Sequence, residues 1–88
     1  MQTYTVYIGS NNETHELELE RIKLIVGAMH KGYTIYTATG AWLGTEEDTA
    51  VVIIHDRPVQ IMKTIERLKG FLHQDAIGYQ VAPTLQFA

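Results

Sequence analysis

The sequence predicts a small α+β protein built from four strands and two helices. Four short segments are rich in β-branched and aromatic residues, the composition typical of strands. Two longer segments, placed after the first and third of these, carry apolar residues at helical spacing. The resulting order is β-α-β-β-α-β, the ferredoxin-like sandwich, in which right-handed crossovers put both helices on one face of an antiparallel sheet. With 88 residues, we expect one domain over residues 1–88.

The first half of the chain gives a strand and a helix. Residues 3–9 read T-Y-T-V-Y-I-G and predict the first strand. Residues 10–14 are polar and predict a turn, and a helix is expected over residues 14–31 with Gly32 as its stop. The apolar stripe of this helix comprises Leu17, Ile22, Ile25, Val26 and Met29.

A hairpin is predicted in the middle of the chain. Residues 33–43 form its first strand, where Gly40 indicates a bulge or a close approach of backbone. Residues 44–48 are polar and acidic and predict the turn, and residues 49–55 form the second strand.

The last third of the chain predicts a helix and a final strand. Asp56 and Pro58 are suited to the beginning of a helix, which is expected to end near residues 73–76. Residues 77–87 form the last strand, and Pro83 indicates an edge position or a local break.

One strand predicts self-association. Residues 50–54 read A-V-V-I-I, and because side chains alternate between the faces of a sheet, both faces are apolar there. The helices cover one face, so we expect the other to pack on a second copy, giving a dimer, trimer or higher homo-oligomer. The alternative is that tyrosines of the same chain and Trp42 cover it.

Composition limits the classes of function. The chain has no cysteine, which excludes disulfides and thiolate metal sites and fits a cytoplasmic protein. Seven basic and ten acidic residues give a net charge of −3, which argues against nucleic acid as the partner. The RNA-binding signature of an RRM domain is also missing from the third strand, which is aliphatic. Long apolar segments are absent, so we expect no membrane span.

Six residues are candidates for ligand binding. Aromatic side chains on strands can stack on a base, asparagines at a turn can hydrogen-bond a polar ligand, and arginines can neutralise phosphates. Packing in the core or between subunits is the alternative for the aromatic residues, and helix capping is the alternative for the asparagines. The candidates are Asn11, Asn12, Tyr36, Trp42, Arg57 and Arg67.

Signs of catalysis are weak. The four histidines, His15, His30, His55 and His73, show no spacing typical of a metal site, so we expect no metal and no cofactor. The carboxylates at positions 46–48 are explained by a solvated turn. Without cysteine or a nucleophilic serine motif, we favour a protein that is not an enzyme, while the pair His55 and Asp56 stays as the catalytic alternative.

The chain resembles a group of uncharacterised small bacterial and phage proteins. The resemblance lies in residues 7–14 (Y-I-G-S-N-N-E-T), 32–55 and 72–77 (L-H-Q-D-A-I). More distantly, the element order is similar to that of the PII and CutA trimers. That likeness implies an oligomer with ligand clefts between subunits, although residues 44–48 are too few for the long signalling loop of PII.

Together these observations favour a non-enzymatic homo-oligomer that holds a nucleotide-like small molecule in clefts between its subunits. A phage protein of this kind could sequester a host signalling nucleotide. Two alternatives stay open: an interaction module that regulates a partner protein, and a small enzyme with a histidine and a carboxylate in the cleft.

Overall fold

The computed structural model describes residues 1–82 of the chain. The elements follow the predicted β-α-β-β-α-β order. Their bounds are β1 Gln2–Ile8, α1 Leu19–Met29, β2 Tyr33–Trp42, β3 Thr45–Asp56, α2 Pro58–Phe71 and β4 Gly78–Ala82.

The four strands form one antiparallel sheet in the order β2-β3-β1-β4. Strands β3 and β1 are the two inner strands, and Val6 of β1 pairs with Val52 of β3 and with Tyr79 of β4. This is the ferredoxin-like arrangement that the sequence predicted, and the predicted fold class is therefore confirmed.

One face of the sheet packs on the two helices and forms the core. Alternate strand residues, among them Val6, Ile8, Val52 and Ile54, are almost completely buried against both helices. The helices contribute Ile22, Val26, Ile61, Ile65 and Leu68. The opposite face, which we call the open face, carries the odd-numbered residues of β1 and β3.

The hairpin differs from its predicted form. Residues 44–48 were predicted as a turn, but β3 begins at Thr45 and the turn consists of Leu43 and Gly44 alone. Both turn residues have positive φ, 50° and 79°, as two-residue hairpin turns require. The pairing of β1 with β3 stops at Ala50, so the far parts of β2 and β3 project as a two-stranded arm.

Gly40 lies in this arm without a bulge. The register of β2 and β3 runs without interruption from Tyr33 to Trp42, which corrects the expectation of a bulge. Its second expected role, close approach, is observed: a Cβ at Gly40 would lie 2.5 Å from the Thr49 hydroxyl oxygen.

Helix α1 was predicted over residues 14–31 but begins at Leu19, because side chains compete for the backbone hydrogen bonds before it. The amide oxygen of Asn11 accepts hydrogen bonds from the N–H groups of Glu13 and Thr14, at 2.8 and 3.2 Å, and closes a turn in place of a helix. Helix α2 begins at Pro58. Strand β4 is observed to Ala82, and Pro83 with the rest of the predicted strand to residue 87 lies outside the described residues.

Candidate functional site

A row of apolar side chains crosses the open face. The register pairs Tyr36 of β2 with Val51 of β3, and Val51 with Tyr7 of β1. Val51 is only 4% exposed, whereas Tyr36 and Tyr7 are 51% and 41% exposed on either side of it. Large apolar surface in contact with solvent is a feature of interaction sites in small proteins. We call Tyr36, Val51 and Tyr7 the tyrosine row.

Beside the tyrosine row, a cleft of about 620 Å³ opens at the end of the sheet where the arm projects. Three glycines line it, Gly9, Gly40 and Gly78, and the side chains of Glu47 and Thr49 lie over the first two. Tyr7 belongs to both the row and the cleft. The remaining lining residues are Ser10, Asn12, Ala41, Glu47, Thr49, Gln74, Asp75 and Ala76.

Glu47 is held in this cleft by the backbone of the loop that follows β1. The N–H of Ser10 donates to Glu47 Oε2 at 3.3 Å, and the Ser10 hydroxyl donates to the carbonyl of Asp48 at 3.1 Å. The side chain of Glu47 occupies the space over Gly9 that a Cβ would take. Among residues 1–82, no donor is bonded to Glu47 Oε1. That oxygen is available to a ligand.

The loop between α2 and β4 closes the other side of the cleft. The side-chain amide of Gln74 donates to the carbonyls of Gly9 and Ser10, the latter at 3.1 Å. Nearby, His73 Nδ1 lies 3.5 Å from a carboxylate oxygen of Glu13, across the two loops. These contacts join the two loops into one wall.

The charge of the cleft is negative. Its lining includes the carboxylates of Glu47 and Asp75 and neither lysine nor arginine among the described residues. A second hollow on the other side of the arm shares Ser10 and Glu47 and adds Glu46 and Asp48. A negative potential of this kind attracts cations and repels phosphates.

The structure brings part of the predicted site to this place. Asn12 lines the cleft, and Tyr36 lies in the adjacent tyrosine row on the same face. Asn11 is buried, and its amide nitrogen donates to Glu18 at 2.8 Å, so its polar atoms hold the loop together. Residue 42 ends β2, where its backbone pairs with Thr45, close to the tip of the arm.

The two arginines lie away from the cleft. Arg57 is at the N-cap position of α2 next to Asp56, at the opposite end of the sheet, where Gln2 pairs with Asp56. Arg67 is exposed on α2, the helix that covers the other face. In a single chain, neither residue meets Asn12 or Tyr36.

The proposed catalytic pair is separated in the same way. His55 is on the open face, where its Nδ1 lies 3.2 Å from the Thr3 hydroxyl. Asp56 is the next residue and therefore points to the helix side, where its carboxylate meets His30 at 2.6 Å. The two side chains thus lie on opposite faces of the sheet and contact different partners.

Sequence reasoning missed a buried polar cluster of His30, Asp56 and Thr64. His30 Nε2 lies 2.7 Å from the Thr64 hydroxyl oxygen, and that hydroxyl donates to the carbonyl of Gln60 at 2.9 Å. The arrangement resembles a catalytic triad, but Thr64 is 1% exposed, and none of the three residues lines the clefts found among residues 1–82. The cluster joins the end of α1 to the beginning of α2.

The environment of Asp56 sets its ionisation. Burial raises the pKa of this carboxyl group. The hydrogen bonds from the Arg57 N–H and from His30, together with the charges of both residues, lower the pKa by a larger amount. The net result is a pKa below the usual 3.8, so Asp56 is ionised at neutral pH and can hold His30. No group of three or more potential metal ligands is found among residues 1–82.

Glu47 and Gln74 were the functional candidates that sequence reasoning did not select. Glu47 was assigned to a solvated turn, and Gln74 was not assigned a role. A partial signal existed in the alternation of the arm, since Glu47 and Thr49 share a face with Val51. The contact with Gly9 carries no sequence signal, because it joins two distant segments.

Comparisons with known proteins show the fold. The solved structure of a phage SAM lyase in its apo state has a TM-score of 0.66 and 13% identity, covering 97% of this chain and 83% of that one. CutA1 from Oryza sativa gives a TM-score of 0.59 and 16% identity, covering 100% and 84%. The C-terminal domain of MgtC from Mycobacterium tuberculosis gives 0.54 and 14%, covering 98% and 93%. These values confirm the expected CutA-like fold.

Family models and curated proteins give no match to this chain. Within residues 1–82, both helices are too short and too polar to cross a membrane.

Proposed function

We propose that this chain is a cytoplasmic homo-oligomeric protein that binds a small nucleoside-type molecule in clefts between its subunits. The observation that carries the proposal is the continuity of two surfaces: the cleft shares Tyr7 with the apolar tyrosine row on the open face. A second copy packed on the row would extend over the open side of the cleft. The ligand would then be enclosed by two chains, as ligand sites at subunit boundaries commonly are.

Burial on the open face supports self-association. Val51 lies between the half-exposed rings of Tyr36 and Tyr7, and Ile53 extends this apolar surface along β3. An antiparallel sheet whose second face meets water normally carries polar residues there. Packing against a second copy would remove the exposed rings of Tyr36 and Tyr7 from water and stabilise an 88-residue domain, whose own core is small.

Charge indicates the chemical class of the ligand. Glu47 and Asp75 give the cleft two carboxylates, and residues 1–82 place no lysine or arginine in its lining to receive a phosphate. A nucleoside carrying a positive group fits better than a nucleotide, with its ring near Tyr7 or Tyr36 and its charge near Glu47. Asn12 would hydrogen-bond its polar edge. Arg57 and Arg67 would take part only if a neighbouring copy brought them to the cleft.

S-adenosylmethionine (SAM) is the first ligand to test. It is an adenosine derivative with a positive sulfonium, and one protein of similar fold is named a SAM lyase. Binding without turnover would sequester the compound, which suits a phage protein that removes a host metabolite.

Native mass spectrometry and calorimetry test the proposal. We expect an oligomer that binds SAM, and binding to S-adenosylhomocysteine, which lacks the charge, about tenfold weaker or more. Glu47→Gln should remove this preference for the charged compound, whereas the exposed control Glu66→Gln should keep it. A protein that stays monomeric at high concentration would contradict self-association. An oligomer that binds neither compound would contradict the ligand class and favour a protein partner.

Catalysis is the second candidate, and the unbonded Oε1 of Glu47 favours it. A carboxylate within reach of a substrate can act as a general base, and a sulfonium is a good leaving group because it departs as a neutral thioether. In such a reaction Glu47 would take a proton from Cβ of the methionine moiety as the Cγ–S bond breaks, so that 5′-methylthioadenosine leaves and vinylglycine forms. Release of these two products would show a lyase. Activity in the wild-type protein that disappears in Glu47→Gln and persists in His55→Ala would assign the base to Glu47 and exclude the pair His55 and Asp56.

A further inference from the structure

We infer that Gln74 is a positioning residue that holds the carboxylate of Glu47 in place through the backbone of Gly9 and Ser10. The inference deepens the proposed function, on which it rests, because it identifies what fixes the charge that the ligand would meet. Gln74 and Glu47 have no contact with each other in the hydrogen bonds of the described chain. Their connection runs through one short piece of main chain.

The contacts converge on Gly9 and Ser10 from two sides. From the α2–β4 loop, the amide of Gln74 donates to the carbonyl oxygens of both residues. From the arm, Glu47 accepts from the N–H of Ser10 at 3.3 Å. The Ser10 hydroxyl also donates to the backbone of Asp48. One residue, Ser10, is therefore bonded to the arm by two groups and to the far loop by a third.

Glu47 needs such support because it lies on the projecting arm. The arm extends beyond the end of β1, so its backbone pairs on one side only, between β2 and β3. The side chain of Glu47 has its one described polar contact with Ser10, at the long end of the hydrogen-bond range. A small displacement of Ser10 would break that contact and leave the carboxylate to rotate freely.

The backbone around Gln74 fixes its own direction. The N–H of Gln74 donates to the carbonyl of Lys69 at 3.1 Å, after the end of α2. His73, just before it, has a φ of 52°, which turns the chain out of the helix. Gln74 itself is half-buried, so its amide has few other partners to reach. The side-chain amide of Gln74 therefore links the two loops that border the cleft.

Three substitutions separate this role from simple packing. Gln74→Met keeps the length and removes the donor, Gln74→Glu keeps the shape and offers only acceptors, and Gln74→Lys restores a donor. The first readout is hydrogen exchange of the Ser10 amide, which needs no ligand. We expect exchange about tenfold faster in the Met and Glu variants, as in Glu47→Ala, and near the wild-type rate in the Lys variant.

The second readout is SAM affinity in a double-mutant cycle. If Gln74 acts through Glu47, Gln74→Met weakens binding about fivefold to tenfold in the wild-type background and has little effect in the Glu47→Ala background. Equal losses in both backgrounds would overturn the inference, since Gln74 would then act independently of Glu47. Unchanged exchange at Ser10 in Gln74→Met would overturn it as well.

The two proposals fail in different ways. Faster exchange in Gln74→Met with a rescue in Gln74→Lys, combined with no SAM binding in the wild type, would uphold the positioning role and reject the proposed ligand. Binding of SAM that ignores every change at position 74, with Ser10 exchange unaltered, would uphold the function and reject the positioning role. Thermal unfolding of each variant identifies any that has lost the fold. Ser10 exchange in Gln74→Lys then decides whether a donor at position 74 holds the contact of Ser10 with Glu47.

Discussion

The carboxylate of Glu47 lies over Gly9, in the space where any other residue would carry its first side-chain carbon. A Cβ built on Gly9 would come within 2.5 Å of Glu47 Oε1 and 3.1 Å of its carboxylate carbon. The neighbouring Ser10 N–H donates to the second oxygen of the same group. The glycine is therefore part of the site, although it contributes no functional group.

Gly9→Ala should impair the site more than the fold. The methyl group would displace the end of a flexible and exposed side chain, so we expect the free energy of unfolding to change by less than about 1 kcal/mol. SAM affinity should fall about tenfold as Glu47 leaves Ser10. Calorimetry and chemical unfolding measure the two effects. Gly70→Ala is the matched control, because a Cβ there meets nothing within 4 Å, and retained affinity in Gly9→Ala would contradict this account.

The two adjacent asparagines should behave differently. Asn11 is buried and its side chain makes three hydrogen bonds, so Asn11→Ala should lower the free energy of unfolding by about 1–3 kcal/mol. Asn12 is exposed in the cleft, so Asn12→Ala should keep stability within about 0.5 kcal/mol and reduce ligand affinity. Chemical unfolding of both variants separates the roles. A stability loss in Asn12→Ala equal to that in Asn11→Ala would contradict them.

A charge in the tyrosine row should break the oligomer. Tyr36→Glu would place an unpaired carboxylate against an apolar partner surface, weakening association by at least about 1.4 kcal/mol, or tenfold. Thr37→Glu is the control, since the next residue on the same strand points to the opposite face. Light scattering over a range of concentrations measures both. Equal oligomer size in the two variants would argue against the open face as the interface.

Acid should destabilise the protein through Asp56. The folded-state pKa of this group is lowered below 3.8, so its contribution is present in full above that pH and is lost as the pH falls through the folded-state value. Asp56→Asn should therefore lower the free energy of unfolding at pH 7 by about 1–3 kcal/mol and flatten its decline below pH 3.8. Unfolding curves between pH 2 and pH 7 test this. Parallel curves for wild type and variant would contradict the role of the His30 contact.

The order of elements could be predicted because the apolar periodicity of each segment agrees with its place in the fold. The β3 half of the arm could not, since residues 45–48 are exposed and need no apolar pattern. Polar residues there are equally compatible with a turn and with an exposed strand. The positive φ angles of Leu43 and Gly44 distinguish the two structures, because they form a two-residue turn that allows the strand to begin again at Thr45.

The site was harder to predict than the fold for a related reason. Tyr36 and Asn12 could be chosen from residue type and position on an element. Glu47, Gly9 and Gln74 meet only in three dimensions, from three separate segments. The cluster of His30 with Asp56 and Thr64 is hidden in the same way, because its members are brought together by the packing of α1 against α2.

The residues that line the cleft and those that form the core are different sets. Adjacent positions belong to different sets: Ile8 is buried in the core, whereas Gly9 and Ser10 line the cleft. Substitutions that alter what the cleft recognises can therefore accumulate while the hydrophobic interior stays intact. We expect descendants of this scaffold to diverge in ligand preference faster than in shape.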